Sequence, residues 1–224
     1  MIRLSEKIVD DIKSRIMNGE YQNGERLPAE LDLAGQHEVS RSVIRESLRN
    51  LESLGLVKIK KGPKGGIFVS ESYDKPISDS LKGLVDGGQI TEDNIFDIRL
   101  LLETYAAAEA AVNADENDID YLESLLTIPT SKISNGAWLQ ANRSKFHLGL
   151  ARASKNPILE VLMKVLISLL RKHFKDFHDV AFELESLTSH REILETIKNQ
   201  NPEKARDLME AYILGMRDFI NQMD

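Results

Sequence analysis

The 224-residue sequence has no cysteine, a single tryptophan and only 6% aromatic residues. Without cysteine there can be no disulfide, no thiolate nucleophile and no Cys-ligated zinc. Long apolar runs are also missing: nothing approaches the ~20 residues of a membrane-spanning helix. The opening MIRLSEKIVDD lacks the apolar stretch of an export signal. A cytoplasmic protein with no membrane partner is therefore expected. No glycine-rich phosphate loop is present either. GPKGG (residues 62–66) lies between two short apolar runs, which suits a hairpin tip rather than a strand-to-helix phosphate cradle. Nor does any Asp/Glu/His group recur at metal-ligand spacing. These absences argue against a helical enzyme that would use His147 and His190 as acid–base or metal groups.

Positive charge is scarce overall, with 29 Lys and Arg against 36 Asp and Glu, a net −7. Its distribution is uneven. Residues 1–72 hold 12 basic against 11 acidic side chains, whereas residues 73–224 hold 17 against 25. Within residues 39–64 stand Arg41, Arg45, Arg49, Lys58, Lys60, Lys61 and Lys64, opposed only by Glu46 and Glu52. A local basic patch on an acidic chain steers a polyanionic partner.

The hydrophobic pattern divides the chain. In LSEKIVDDIKSRIMNG, Ile8, Ile12 and Ile16 make an i, i+4 stripe, with Ser5 as the expected N-cap and Gly19 as the stop. Pro28 precedes a short helix over about 29–37 that buries Leu31 or Leu33 with Ala34. Ser40 is placed to cap a third helix that runs to about Leu54, ended by Gly55. The period then changes. Leu56, Val57 and Ile59 face Ile67, Phe68 and Val69 across the glycine-rich tip, a β-hairpin. Three helices and a hairpin make a winged helix-turn-helix domain over residues 1–72.

SESYDKPISD marks the boundary, and residues 73–224 carry helical period throughout. Helices are expected over about 77–86, 92–113, 116–126, 137–153, 157–178, 183–199 and 202–222. The fold class is thus mainly α: a winged helix-turn-helix followed by an all-α bundle of six or seven helices.

On the third helix Ile44, Leu48 and Leu51 must face the core. Arg41, Arg45 and Arg49 drift only about 40° per step, so they share one exposed flank. Like charges at i, i+4 cost a free helix a few tenths of a kcal/mol per pair. Glu46 and Glu52 can each reach Arg49, but neither neutralises Arg41 or Arg45. A solvated cationic face is one reading. The other is a recognition helix whose arginine forks bond base edges, with Ser40 and Ser42 on phosphate. The preceding helices and the basic hairpin favour the second, since such a wing reaches the backbone or minor groove beside the helix.

The run from Ile16 to Val69 resembles the DNA-binding domain of GntR-type bacterial transcription regulators. The resemblance rests on Gly19 and Tyr21, Gly24-Glu-Arg-Leu-Pro-Ala-Glu30, Leu33-Ala34, Val39-Ser40-Arg41 and Arg45-Glu-Ser-Leu48, continuing through Leu51-Glu52, Gly55-Leu56 and Gly66 to Val69. The helical remainder resembles the FCD-type effector domain of the FadR subfamily. Its carriers are Arg99-Leu-Leu-Leu-Glu103, Phe146-His147, Ala153-Ser-Lys-Asn-Pro157, His190-Arg191 and the segment from Pro202.

The resemblance implies a ligand-responsive repressor that binds a palindromic, inverted-repeat operator in double-stranded DNA as a homodimer. Arg41 and Arg45 would read bases; Ser40, Ser42 and Arg49 would hold phosphates or flanking bases; Lys61 and Gly62 would sit at the wing tip over the minor groove. Relatives often carry a basic residue after Pro-x-Glu, where this chain has Leu31-Asp32.

Many FCD domains hold a divalent metal through Asp-x-x-x-His and two later histidines. Here His147 and His190 match, but Arg143 stands at the aspartate position and Tyr212 at the last histidine. A permanent cation repels a divalent ion, so neither a metal nor another cofactor is expected, His147 and His190 being the only ligand positions kept. A guanidinium can instead grip a carboxylate with two hydrogen bonds. A small organic anion is therefore the expected effector, held by Arg143 with Arg99, His147, His190 and Tyr212. The alternatives are that both histidines are interior packing with Arg143 turned outward, or that the protein is an architectural DNA binder whose bundle has no pocket. His173 and His178 lie five apart and read as a surface face rather than a ligand pair.

Overall fold

Apolar spacing builds the first helix as expected. The computed structural model describes residues 3–70, 72, 74–173 and 179–222, so His178 lies outside the described residues. Helix α1 (Leu4–Met17) buries Ile8, Ile12 and Ile16. Its cap position is Arg3, not Ser5. Ser5 is instead a buried residue inside the helix, where its hydroxyl donates to Glu46 Oε1 (3.0 Å) and its carbonyl accepts from Ser47 Oγ (3.0 Å). The hydroxyl is drawn into a cross-link with the third helix and is lost to capping.

Helix α2 (Glu30–Gln36) buries Leu33 and Ala34 and leaves Leu31 exposed. Helix α3 (Arg41–Ser53) buries Ile44, Leu48 and Leu51. Gly55 follows at φ +75, in the left-handed region where a side chain is strained, and an added Cβ would lie 2.4 Å from the Ser72 carbonyl oxygen. Strands β1 (Val57–Lys60) and β2 (Gly66–Val69) pair antiparallel with Val57 opposite Val69 and Ile59 opposite Ile67. The segment before α2 closes the free edge of β2: Leu27 N–H donates to Ile67 O (2.8 Å) and Val69 N–H to Glu25 O (2.8 Å). Three helices and a two-stranded wing thus enclose one core.

The chain divides into two compact units, Met1–Ser80 and Leu81–Asp224. The division falls within helix α4 (Asp74–Asp86), beyond the boundary read from composition. Six further helices are described: α5 (Glu92–Asn113), α6 (Glu116–Leu126), α7 (Gly136–Ala153), α8 (Pro157–His173), α9 (Val180–Lys198) and α10 (Pro202–Asn221). Their starts are fixed by side-chain caps, with Thr91, Asp115, Asn135, Asp179 and Asn201 each accepting a backbone N–H of the first turn. Helix α5 packs against α7, α8, α9 and α10 and so forms the axis of the bundle. The fold is the mainly-α class expected.

Candidate functional site

The first candidate surface is built on α3. Because Ile44, Leu48 and Leu51 point into the core, helical geometry turns Arg41, Arg45 and Arg49 outward, and all three are exposed. The carboxylates expected to moderate Arg49 are engaged elsewhere. Glu46 accepts from Ser5, and Glu52 Oε1 accepts from the Ile59 N–H at 2.9 Å. The acidic neighbour of the stripe is Glu30 of α2, which sequence spacing did not reveal. Its Oε2 lies 3.3 Å from Arg45 Nε and 3.9 Å from Arg41 Nη2.

Ser40 occupies the cap position of α3, yet its hydroxyl makes no cap hydrogen bond. It lies 2.8 Å from Ser42 Oγ, both residues exposed beside the amides of the helix start. At the wing tip Lys61 and Gly62 are exposed, and Gly62 adopts φ +99. A further residue shapes this tip: Arg26 Nη2 donates to the Gly65 carbonyl at 2.9 Å, and its guanidinium fills the space a Gly66 side chain would need. Lys60 lies over the Phe68 ring, with Nζ 4.6 Å from the centroid. All seven residues expected to meet DNA are thus exposed on the α3 flank and the wing tip.

The second candidate lies inside the helical bundle. Arg99 (α5), Arg143 and His147 (α7), His190 (α9) and Tyr212 (α10) come together there as expected. The His147 and His190 rings meet edge-on at 4.9 Å, Tyr212 lies 5.5 and 4.9 Å from them, and Phe146 stacks on His190 at 4.3 Å. Arg143 points inward rather than outward. Two carboxylates absent from the expected set complete the cluster. Glu183 takes Arg143 in a two-point bridge (Nε to Oε2 2.9 Å, Nη2 to Oε1 3.1 Å). Glu103 takes Arg99 (Nε to Oε1 2.7 Å) and lies 2.6 Å from His147 Nδ1. Met216 Sδ sits between the cations, 2.8 Å from Arg99 Nη1 and 3.3 Å from Arg143 Nη1. Glu103 could have been found from its i, i+4 spacing to Arg99. Glu183, 40 residues from its partner, had no such signal.

Burial would push the Glu103 carboxyl up, but Arg99 and His147 outweigh it and hold it at about 2. Burial also opposes charge on Arg143, and Tyr212 and Glu183 overcome it to keep the guanidinium protonated. Both imidazoles move the other way: burial lowers His147, against the pull of Glu103, and burial with the neighbouring cations drives His190 well down. The folded cluster is therefore two ion pairs around neutral imidazoles. Among the described residues, neither His147 nitrogen nor His190 Nε2 makes a well-aligned hydrogen bond. The spaces beside Arg143 measure about 20 and 10 Å³, enough for single waters. A larger cavity of about 300 Å³ opens between α9 and α10 and shares Tyr212 and Met216 with the cluster. No group of three or more potential metal ligands occurs among the described residues. Asn142 is buried and donates to the Leu125 carbonyl, so it serves the end of α6 rather than the cluster.

Comparison with known proteins agrees with both units. The family model for the FCD domain matches residues 94–215, and that for bacterial regulatory proteins of the gntR family matches residues 4–69. The chain is 28% identical over 212 residues to the HTH-type transcriptional regulator LutR of Bacillus subtilis, covering 92% of this chain and 96% of LutR. It is 26% identical over 223 residues to the HTH-type transcriptional repressor NanR of Citrobacter rodentium, covering 94% and 83%. Among solved structures, Streptococcus agalactiae GntR superposes with a TM-score of 0.67 at 26% identity, covering 96% of this chain and 99% of that one.

Proposed function

Since the chain belongs to the FCD family and carries a GntR-type DNA-binding domain, making it a transcription regulator and not an enzyme, we propose that it is a homodimeric repressor of an inverted-repeat operator, released by a small organic acid. The observation that carries the DNA half of this reading is the outward row Arg41, Arg45 and Arg49 on the exposed flank of a helix whose neighbouring face is core. Arg41 and Arg45 read bases. Ser40, Ser42 and Arg49 hold phosphates, and Lys61 and Gly62 place the wing over the minor groove. Such a regulator works in the cytoplasm, and no helix among the described residues is long and apolar enough to cross a membrane.

Dimerisation has its own support. Helix α5 is apolar on two sides. Opposite its buried face, Ile98, Leu101, Tyr105 and Val112 fall within about 60° of arc and are exposed at 48%, 66%, 46% and 64%. Ile158 and Leu162 on α8 are exposed as well. Together these side chains expose roughly 600 Å² of apolar surface, close to the ~800 Å² that each partner of a stable interface covers. A two-fold pairing through this face would give the assembly two recognition helices, one for each half of an inverted repeat.

For the effector, Arg143 is the anchor, helped by Arg99, His147, His190 and Tyr212. The small spaces beside Arg143 mean that an acid enters only when the cluster opens, and that its carboxylate takes the place of Glu183. Tyr212 and Met216 belong both to the cluster and to the lining of the α9/α10 cavity, so their movement would open one toward the other. Effector binding then favours the open bundle, with its lower operator affinity.

The test begins by selecting a duplex from a random pool with the full-length protein. Arg45→Ala should weaken binding to that duplex by about 1–3 kcal/mol and relax its sequence preference. Unchanged binding would remove the base-reading assignment. In a thermal-shift screen of organic acids, a responding acid should lose its effect in Arg143→Ala; a full response in that variant would remove the anchor.

A further inference from the structure

Base-reading arginines need direction as well as charge, and the surface on which Arg41 and Arg45 stand supplies it from an unexpected quarter. We propose that Glu30 is a positioning residue for operator specificity, tethering Arg45, and more loosely Arg41, so that their guanidinium groups are presented to base edges. The inference rests on the reading of Arg41 and Arg45 as the base-contacting residues.

Three observations carry it. First, the geometry of the contact is selective. Glu30 Oε2 approaches Arg45 from its Nε side at 3.3 Å. That is a side-on approach, so the end-on edge between the two terminal nitrogens, which can match O6 and N7 of guanine, is not the one the carboxylate takes. A carboxylate that took the fork end-on would occupy the reading edge. Second, one oxygen serves two arginines a helical turn apart, since Arg41 Nη2 lies 3.9 Å from the same atom. Their side chains are 54% and 59% exposed, so without a tether each long stem would sample many rotamers in water. Third, the neighbouring acids have other duties. Glu46 binds Ser5, Glu52 binds the Ile59 N–H, and Leu31 beside Glu30 carries no charge to draw it away.

A carboxylate on a surface that meets phosphates weakens binding to every duplex alike. Only a sequence that uses the oriented forks recovers the loss. Glu30 therefore raises the ratio of operator to non-specific affinity in both ways, by repelling phosphate and by aiming the forks, and its removal should move the two affinities in opposite directions. A defect in folding would weaken both together.

The experiment measures fluorescence anisotropy with the full-length protein on the wild-type-selected duplex and on a scrambled duplex of equal composition, over a salt series. Glu30→Gln should bind the scrambled duplex several-fold tighter and the selected duplex about tenfold weaker. Its salt slope on scrambled DNA should steepen by up to ~0.9. Glu30→Asp keeps the charge on a shorter stem. It should leave scrambled binding unchanged and still weaken selected binding, separating geometry from charge. Equal shifts on both duplexes, or none, with either variant would overturn the proposal. Arg45→Ala is the reference: if it leaves the selected-to-scrambled ratio intact, the base-reading assignment has failed. If it lowers the ratio and Glu30→Gln does not, the failure belongs to Glu30 alone.

Discussion

Arg99 and Glu103 face each other one turn apart on α5, each side chain only 1% exposed. Charges so deeply buried are held by each other, and a double-mutant cycle should expose that dependence. Glu103 is held at about 2 against a reference of 4.5, an advantage of about 3 kcal/mol at neutral pH. In Arg99→Met the carboxylate must take up a proton or rely on His147 alone. Losing that advantage and then protonating the carboxyl at pH 7 together cap the loss at about 6–7 kcal/mol. Glu103→Leu strands the guanidinium, which keeps Met216 Sδ at 2.8 Å and the Phe96 ring at 5.3 Å but no carboxylate partner on α5, and should cost about 3–5 kcal/mol. The double variant Arg99→Met/Glu103→Leu removes both charges and fills similar volume, so it should lie within about 2 kcal/mol of wild type. The coupling energy is then at least ~1 kcal/mol even if Arg99→Met alone costs nothing. Urea denaturation at pH 7, with unchanged m-values, gives all four stabilities. Costs that add to within about 0.5 kcal/mol would refute mutual pairing as what holds the two charges in the interior.

Three further outcomes follow from the same geometry. His147 and His190 stay neutral in the folded chain at pH values where the unfolded chain protonates them. The unfolded state therefore binds more protons, and stability should fall below about pH 6.5 by up to ~1.4 kcal/mol per pH unit for each histidine. Glu103 adds a further loss as pH falls from 4.5 toward 2. Denaturation curves at pH 7.5 and 5.5 check this, and His190→Gln should show about half the drop. Gly55→Ala puts a methyl 2.4 Å from the Ser72 carbonyl at φ +75 and should cost about 2 kcal/mol or more. Gly215→Ala meets nothing within 4 Å and should gain up to ~1 kcal/mol, so calorimetry should move the two midpoints in opposite directions. Finally, Leu101→Glu on the outer face of α5 should shift the protein toward monomer in sedimentation velocity while leaving its helical content unchanged.

Where the sequence carries a local rule, the structure follows it closely. Helices α5 and α6 occupy the expected spans because Thr91 and Asp115 are side-chain caps directly before periodic apolar runs. Helix α4 starts at Asp74 rather than at about 77, since Pro76 sits in the first turn, where its missing N–H has no partner to lose. The choice between Leu31 and Leu33 stays open in sequence because seven residues give too few repeats for a period to select a face. Ser5 has the chemistry of a cap but not the role, because its attraction to Glu46 and Ser47 of α3 acts over more than 40 residues. The same limit hides Glu30 from the arginine stripe and Glu183 from Arg143. The residues of both candidate sites can be picked out one by one, but Glu30 and Glu183 arrive from other helices and no spacing rule connects them; Glu103, one turn from Arg99, is the carboxylate that a local rule does reach.

That missing half changes what the bundle can recognise. An arginine at the aspartate position of the metal-binding pattern reverses the sign of charge on α7, and the fold answers with a carboxylate from α9. Counting Arg99 with Glu103 and Arg143 with Glu183, and with both imidazoles neutral, the buried cluster carries no net charge. In the proposed mechanism an entering acid finds no spare cation and must exchange with Glu183. The exchange keeps the number of ion pairs constant, so little affinity comes from the charge itself. Selectivity then rests on the rest of the ligand and on the cost of moving Glu183. That cost is moderated by position, because Glu183 lies in the first turn of α9, where the helix dipole favours a carboxylate even without its arginine. Under the proposed mechanism, a ligand that displaces Glu183 would act on the first turn of α9, the point at which a local exchange of carboxylates could be passed to the helix.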